Sequence, residues 1–241
     1  MSKEIIDSIQ VLYQDEYLLV VNKPAGLPSQ PDSSGGLDLL QLLTGQTGLR
    51  NLYLIHRLDR PVGGLMIVAR QPGIQETFTR QLTGQTLAKT YLAVVCGQPP
   101  TSQGELINRL AKNERLNISK VVQADHPKAK EAKLRWSCLA SLSNPAVRQG
   151  AQGLSLLSVQ LHTGRHHQIR VQLAHAGWPI WGDAKYNPAF IHAGGWNPLA
   201  LVSHQLVFSH PVTHETLSFQ LDWPRQVPFD LFAPASNSVI K

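Results

Sequence analysis

The stretch LIHRLDRPVGGLMIVAR, residues 54–70, sets the cluster Arg57-Leu58-Asp59-Arg60 between two short apolar runs. The second run, residues 64–69, is too short for an amphipathic helix and has no polar face, so it reads as a buried strand, as do residues 52–55 before the cluster. Residues 56–62 are then a strand-to-strand connection. Pro61 lacks a backbone donor and Gly63-Gly64 permits positive φ, so the chain turns sharply just after Asp59. Such a turn holds the carboxylate at the end of a rigid element, where exposed side chains can be placed accurately. The stretch alone leaves two readings open. Asp59 either caps the turn and pairs with Arg57 or Arg60, or it is placed for chemistry.

Outward from this point, residues 9–13 and 17–21 read as strands ahead of the turn Asn22-Lys23-Pro24-Ala25-Gly26. Residues 37–43 and 74–82 read as helices, stopped at Gly45 and Gly84. Residues 88–97 are rich in β-branched and aromatic side chains and read as a strand. Between 99 and 150 the hydrophobic pattern is weak, with strand-like pieces such as 134–139, and no element can be bounded. The strand signal returns at 154–161. Residues 168–176 carry Ile169, Leu173 and Ala176 on one helical face, and Gly177 ends that helix. Residues 199–208 and 216–221 form a hairpin. Strands dominate without regular strand–helix alternation, so the class is α+β with a mostly antiparallel or mixed sheet.

A length of 241 residues suits one large domain or two lobes sharing a core, and 42% hydrophobic content is that of a globular chain. A net charge of +6 and a pI near 9.5 make a polyanionic partner plausible. There is no run of consecutive lysines and arginines, so that charge is spread over a folded face. Cys96 and Cys138 each lie in an apolar strand-like segment, which suits two buried thiols in a reducing compartment, with the cytoplasm as default. The N-terminus lacks the features of a secretory signal, and no apolar run reaches membrane-spanning length.

Arg57, Asp59, Tyr91, Arg165 and Arg170 fall at or beside expected strand ends and one helix start, where a shared cleft could collect them. An arginine partner would keep Asp59 ionised and aimed, which fits a nucleophile or base better than an acid. Tyr91 offers a flat face for a nucleobase, against the alternative of an ordinary core tyrosine. Arg165 and Arg170 suit phosphate or carboxylate binding, against the alternative of a solvated helix face. His162, His166, His167 and His175 lack metal-ligand spacing, and Gly164 interrupts them. There is no Walker loop, dinucleotide fingerprint or Gly-x-Ser-x-Gly elbow, so neither a metal nor a nucleotide cofactor is expected.

Taken together, several stretches resemble the RluA-type pseudouridine synthases. His56-Arg57-Leu58-Asp59 resembles the family's catalytic motif, and Lys89-Thr90-Tyr91-Leu92-Ala93-Val94-Val95-Cys96-Gly97 its tyrosine-bearing strand. Thr163-Gly164-Arg165-His166-His167-Gln168-Ile169-Arg170-Val171 resembles its Thr-Gly-Arg-x-His-Gln-Ile-Arg segment. Val20-Val21-Asn22-Lys23-Pro24-Ala25-Gly26, Pro179-Ile180-Trp181-Gly182-Asp183 and Phe208-Ser209-His210-Pro211 match further family stretches in the same order. The similarity extends from about Tyr13 to Pro224 and is poorest between 99 and 150.

The resemblance implies one catalytic domain over 1–241, two lobes around a long bent sheet, with no separate N-terminal RNA-binding module. It implies isomerisation of uridine to pseudouridine in ribosomal or transfer RNA, without cofactor; a monomer is the default expectation, as the cytoplasm is for location. Asp59 would be the catalytic carboxylate and Arg170 its partner. Tyr91 would stack on the target base, Arg57 would fill the place of the extruded nucleotide, and Arg165 would bind RNA. The target must leave its stack because C1′ is out of reach inside one. Where most members have Thr-Ser-Gly after the aspartate, this chain has Val62-Gly63-Gly64. Two competing classes are an RNA-binding protein of this fold without turnover and a nucleoside or glycoside hydrolase. The hydrolase would need a second facing carboxylate, and Asp183 reads as structural.

Overall fold

The computed structural model describes residues 9–32, 35–84, 86–143, 153–192 and 197–233. Strand β1 (Gln10–Gln14) forms a hairpin with β2 (Leu18–Lys23), closed by Asp15, whose Oδ1 accepts the backbone N–H groups of Tyr17 and Leu18 at 2.7 and 2.8 Å. Helix α1 (Leu39–Thr47) follows, then β3 (Tyr53–Leu54), β4 (Gly63–Ala69), α2 (Pro72–Thr83) and β5 (Ala88–Cys96). Next come β6 (Gln103–Asn113), β7 (Ile118–Val122), β8 (Lys130–Ser143) and β9 (Gly153–Leu161). The chain continues through α3 (Gln168–His175), the single-turn α4 (Pro188–Ile191), β10 (Leu201–Ser209) and β11 (Thr216–Gln220).

The eleven strands of the described residues share one open sheet, in the order β1-β2-β4-β10-β5-β9-β8-β6-β7, with β3 beside β4 and β11 beside β10. Among the described residues only β4 and β10 run parallel, through Val202 opposite Gly63 and Ser203 opposite Gly64. The expected α+β class with a mixed sheet is therefore observed. The sheet forks at this parallel contact, since the first part of β10 takes β4 and the second part takes β11. Gly64 makes the fork possible. Its φ is +116°, and a Cβ there would lie 2.3 Å from the Ser203 carbonyl oxygen, an approach only glycine permits.

Alternation along the strands places two cores on the two faces of the sheet. Leu19, Val21, Met66 and Val68 point to one, with α1 residues Leu39 and Leu43 and α3 residues Ile169 and Leu173. Leu18, Val20, Leu65 and Ile67 point to the other, against Ile74 and Phe78 of α2. A strand buried on both faces has no polar side, which is why β4 reads as an unbroken apolar run.

The structure corrects four expectations. Asp38 caps α1 instead of lying within it, its Oδ1 accepting the N–H groups of Leu40 and Gln41 at 2.8 and 3.0 Å. That helix runs through Gly45 and stops at Gly48, in the left-handed region at φ 69°. Tyr91 is at mid-strand in β5, not at its end. Cys96 is buried but Cys138, next to a register shift in β8, is half-exposed; both thiols are free. No helix among the described residues is long and apolar enough to cross a membrane.

Candidate active site

The loop carrying Asp59 is stapled to the chain that follows β2. Ser29 Oγ donates to the Leu58 carbonyl at 2.9 Å and accepts the Leu58 N–H at 3.2 Å. The Gly26 N–H donates to the Arg60 carbonyl at 2.8 Å, and Arg60 Nε donates to the Gly26 carbonyl at 3.0 Å. Lys23 is wholly buried, and its Nζ donates to the carbonyls of Pro24, Leu27 and Arg60 at 2.9, 2.7 and 3.4 Å. Burial pushes this ammonium down to about 7, against the opposing pull of the Asp59 charge. A turn bond from the Val62 N–H to the Asp59 carbonyl, 2.9 Å, completes the loop. The result is a carboxylate on a short, heavily bonded backbone.

Helix α3 supplies the partner. Gln168 Oε1 accepts from Thr163 Oγ1 at 2.8 Å and from the Arg165 N–H at 3.0 Å, fixing the entry to the helix. His167 then sits at φ 54°, in the left-handed region that non-glycine residues rarely occupy, a strain that concentrates at functional sites. Arg170, one turn on, is buried. Its Nη1 donates to Asp59 Oδ2 at 3.1 Å, while Nε and Nη2 grip Asp183 Oδ2 and Oδ1 at 2.8 and 2.7 Å. Burial opposes the Arg170 charge, but the hydrogen bonds it donates to Asp183 and Asp59, with the charges of those carboxylates, outweigh burial and raise its pKa. Asp183 also accepts the N–H groups of Lys185 and Tyr186. One guanidinium thus bridges an anchored carboxylate and the partly exposed Asp59.

A second contact reaches Asp59 from His167, whose Nε2 lies 3.6 Å from Asp59 Oδ2. The Tyr186 hydroxyl accepts the Ser119 N–H at 2.8 Å and lies 2.7 Å from His167 Nδ1. Its own proton goes to Nδ1, which assigns the remaining imidazole proton to Nε2, facing Asp59. Burial, with the Arg170 charge beside it, holds His167 down to about 2, so the ring is neutral.

Two cavities, of about 1420 and about 680 Å³, both include Arg57, Asp59, His167 and Arg170 in their walls. All five residues singled out in the sequence, Arg57, Asp59, Tyr91, Arg165 and Arg170, line the smaller one. Tyr91 is buried, and burial together with the Asp59 charge raises its hydroxyl pKa, partly offset by a hydrogen bond with Ser203. Arg57 and Arg165 are exposed at the rim, Arg165 Nε donating to the Glu131 carbonyl at 2.8 Å. His166 and His167 stack at 3.7 Å, and among the described residues no three potential ligands group around a metal position. Sequence reasoning did not single out Lys23 or Tyr186, weighed His167 only as a metal ligand, and read Asp183 as structural without its tie to Arg170. No local pattern marks Tyr186, whereas the adjacent Gly182-Asp183 could have been weighed as the anchor of an arginine.

The fold and site define a class. Residues 17–175 match the model for RNA pseudouridylate synthases, and the chain belongs to that family. It is 32% identical to the tRNA pseudouridine synthase C of Pasteurella multocida over 88% of this chain and 90% of that one. It is also 32% identical to the ribosomal large subunit pseudouridine synthase C of the same organism, over 86% of this chain and 62% of that longer protein. Among solved structures, human RNA pseudouridylate synthase domain containing 1 shares the fold with a TM-score of 0.74 at 19% identity, over 92% of this chain and 86% of the other.

Proposed function

We propose that this chain isomerises specific uridines in structured RNA, ribosomal or transfer, to pseudouridine, with Asp59 as the catalytic carboxylate. The observation that carries the reading is the Asp59–Arg170 pair, set where two cavities meet and walled by Tyr91. Breaking the bond between uracil N1 and C1′ leaves electron deficiency on the ribose and negative charge on the base. A carboxylate beside the sugar answers the first, and cations around the cavity answer the second. The base then turns and rejoins through C5, losing the C5 proton and gaining one at N1, so atoms and electrons balance within the substrate. Tyr91 provides a stacking wall for the extruded base, and Arg57 at the rim fills the space it leaves. Two free thiols fit a reducing cytoplasm, and the basic balance of the chain fits a polyanionic partner. The chain is proposed to act there as a monomer and a single domain.

The test is a chemical map of pseudouridine in ribosomal and transfer RNA from wild-type, deletion and Asp59→Ala strains. Loss of the same site in the deletion and substituted strains is expected. Retention of every site in Asp59→Ala cells, with the protein present and folded, would overturn the assignment.

A further inference from the structure

Two lysines are buried near the site, and they differ in one respect. Lys23 is saturated by three backbone carbonyls. Lys89, 6% exposed, has no carboxylate or hydrogen-bond partner among the described residues. It lies on β5 two residues before Tyr91, so both side chains leave the same face of the strand, and both line the smaller cavity. Leaving a buried ammonium unpaired costs a fold stability, and burial alone lowers its pKa to about 8. A second unpaired donor adjoins it. His56 Nε2 accepts the Ile67 N–H at 3.3 Å, so its proton sits on Nδ1, which is buried without a partner. The cavity wall carries Arg57, Lys89, Arg165 and Arg170 against a single carboxylate, Asp59, which Arg170 already holds.

We propose that the Lys89 end of this cavity is a phosphodiester subsite, in which the Lys89 ammonium, with Arg57 and Arg165 at the rim, takes a backbone phosphate next to the nucleotide held on Tyr91. The phosphate is the occupant because it is the one RNA group carrying full negative charge at neutral pH, and the wall offers an excess of cations. The inference rests on the RNA-modifying reading of the site.

Uridine 3′-monophosphate, uridine and inorganic phosphate serve as probes in an NMR titration of the full chain and of Lys89→Met. The nucleotide is expected to bind the wild type more tightly than uridine, shifting the amides of Tyr91 and Arg165. Lys89→Met should weaken nucleotide and phosphate roughly tenfold or more while leaving uridine unchanged. It should melt no lower than wild type, because it removes an uncompensated buried charge. Unchanged phosphate affinity in the variant would overturn the subsite. Equal weakening of uridine would overturn it too, assigning Lys89 to the base. Lys89→Gln repeats the comparison, and failure of both variants to fold would mark a structural lysine and end the proposal. Phosphate capture without pseudouridine formation would instead remove only the isomerase reading.

Discussion

Replacing Asp183 by Asn tests whether Arg170 owes its aim to an anchor behind it. Asn preserves the shape but offers one acceptor where the carboxylate offered two. Its oxygen would stay at the Oδ1 position, which already accepts from Arg170 Nη2, Lys185 N and Tyr186 N. Its amide would then meet Arg170 Nε donor to donor. Removing one partner of a buried pair costs about 3–5 kcal/mol, and the remaining Asp59 contact places this case near 3. For a chain of this size that is a fall of roughly 6–12 °C in melting temperature. Turnover should fall by roughly tenfold or more through lost positioning, while RNA affinity stays within about threefold. Calorimetry, filter binding and a single-turnover pseudouridine assay give the three readings. The double variant Arg170→Met with Asp183→Leu should recover much of the melting temperature but no turnover, since it removes the stranded charge and also the partner of Asp59. An Asp183→Asn protein that melts within about 2 °C of wild type would refute the proposed anchoring, as would one with an unchanged rate.

Tyr91→Phe keeps the ring, so RNA affinity should stay within about threefold, and a loss beyond about tenfold would refute stacking as its contribution to binding. Tyr91→Ala is a poor probe, because emptying this buried position should cost roughly 3–5 kcal/mol of stability, read from urea midpoints. Gly64→Ala should cost about 3 kcal/mol or more, since it sets a Cβ against Ser203 at a φ of +116°, and near-wild-type stability would disprove that the fork needs glycine. Burial, with Lys89 beside it, lowers His56 to about 3, and burial, with Arg170 beside it, lowers His167 to about 2. The unfolded chain therefore binds protons first as pH falls below about 6.5, and each histidine removes about 1.4 kcal/mol per pH unit of the stability present above it. His56→Gln should flatten the stability profile between about pH 6 and pH 4 by one such increment, and an unchanged slope would count against a neutral buried His56.

The parts of the fold legible in the sequence are those whose burial is uniform. Strand β4, and β5 from Tyr91 to Cys96, are apolar on both faces, so their runs announce themselves, and the five residues singled out in the sequence line one cavity. Strands β6 to β8 are different. Ile107 faces solvent at 57% exposure, while Asn108 accepts a 2.8 Å bond from the buried Gln172 of α3, whose Nε2 also donates to the Leu106 and Ala132 carbonyls. An apolar residue outside and an amide inside invert the signal that alternation reading relies on. Asp183 is structural, as it reads, but what it holds is not legible in the sequence, because the guanidinium it anchors arrives from another element.

The same distinction explains why neither arginine flanking Asp59 in the sequence is its partner. Arg60 is drawn away, its carbonyl to Lys23 and Gly26 and its guanidinium to the Gly26 carbonyl and to Asp32 at 3.4 Å. Arg57 is exposed at the meeting of the cavities. An exposed arginine beside a carboxylate is a weak and mobile partner, worth roughly 1 kcal/mol or less. A guanidinium can aim a carboxylate only if its own position is fixed, and that requires burial and a second carboxylate behind it. Arg170, 111 residues away from Asp59 along the chain, meets both conditions through Asp183. Arg57, exposed at the cavity rim, is thereby left available for the RNA contact proposed above. On the proposed function, the chain separates two tasks that sequence proximity would have merged, holding the carboxylate and meeting the RNA.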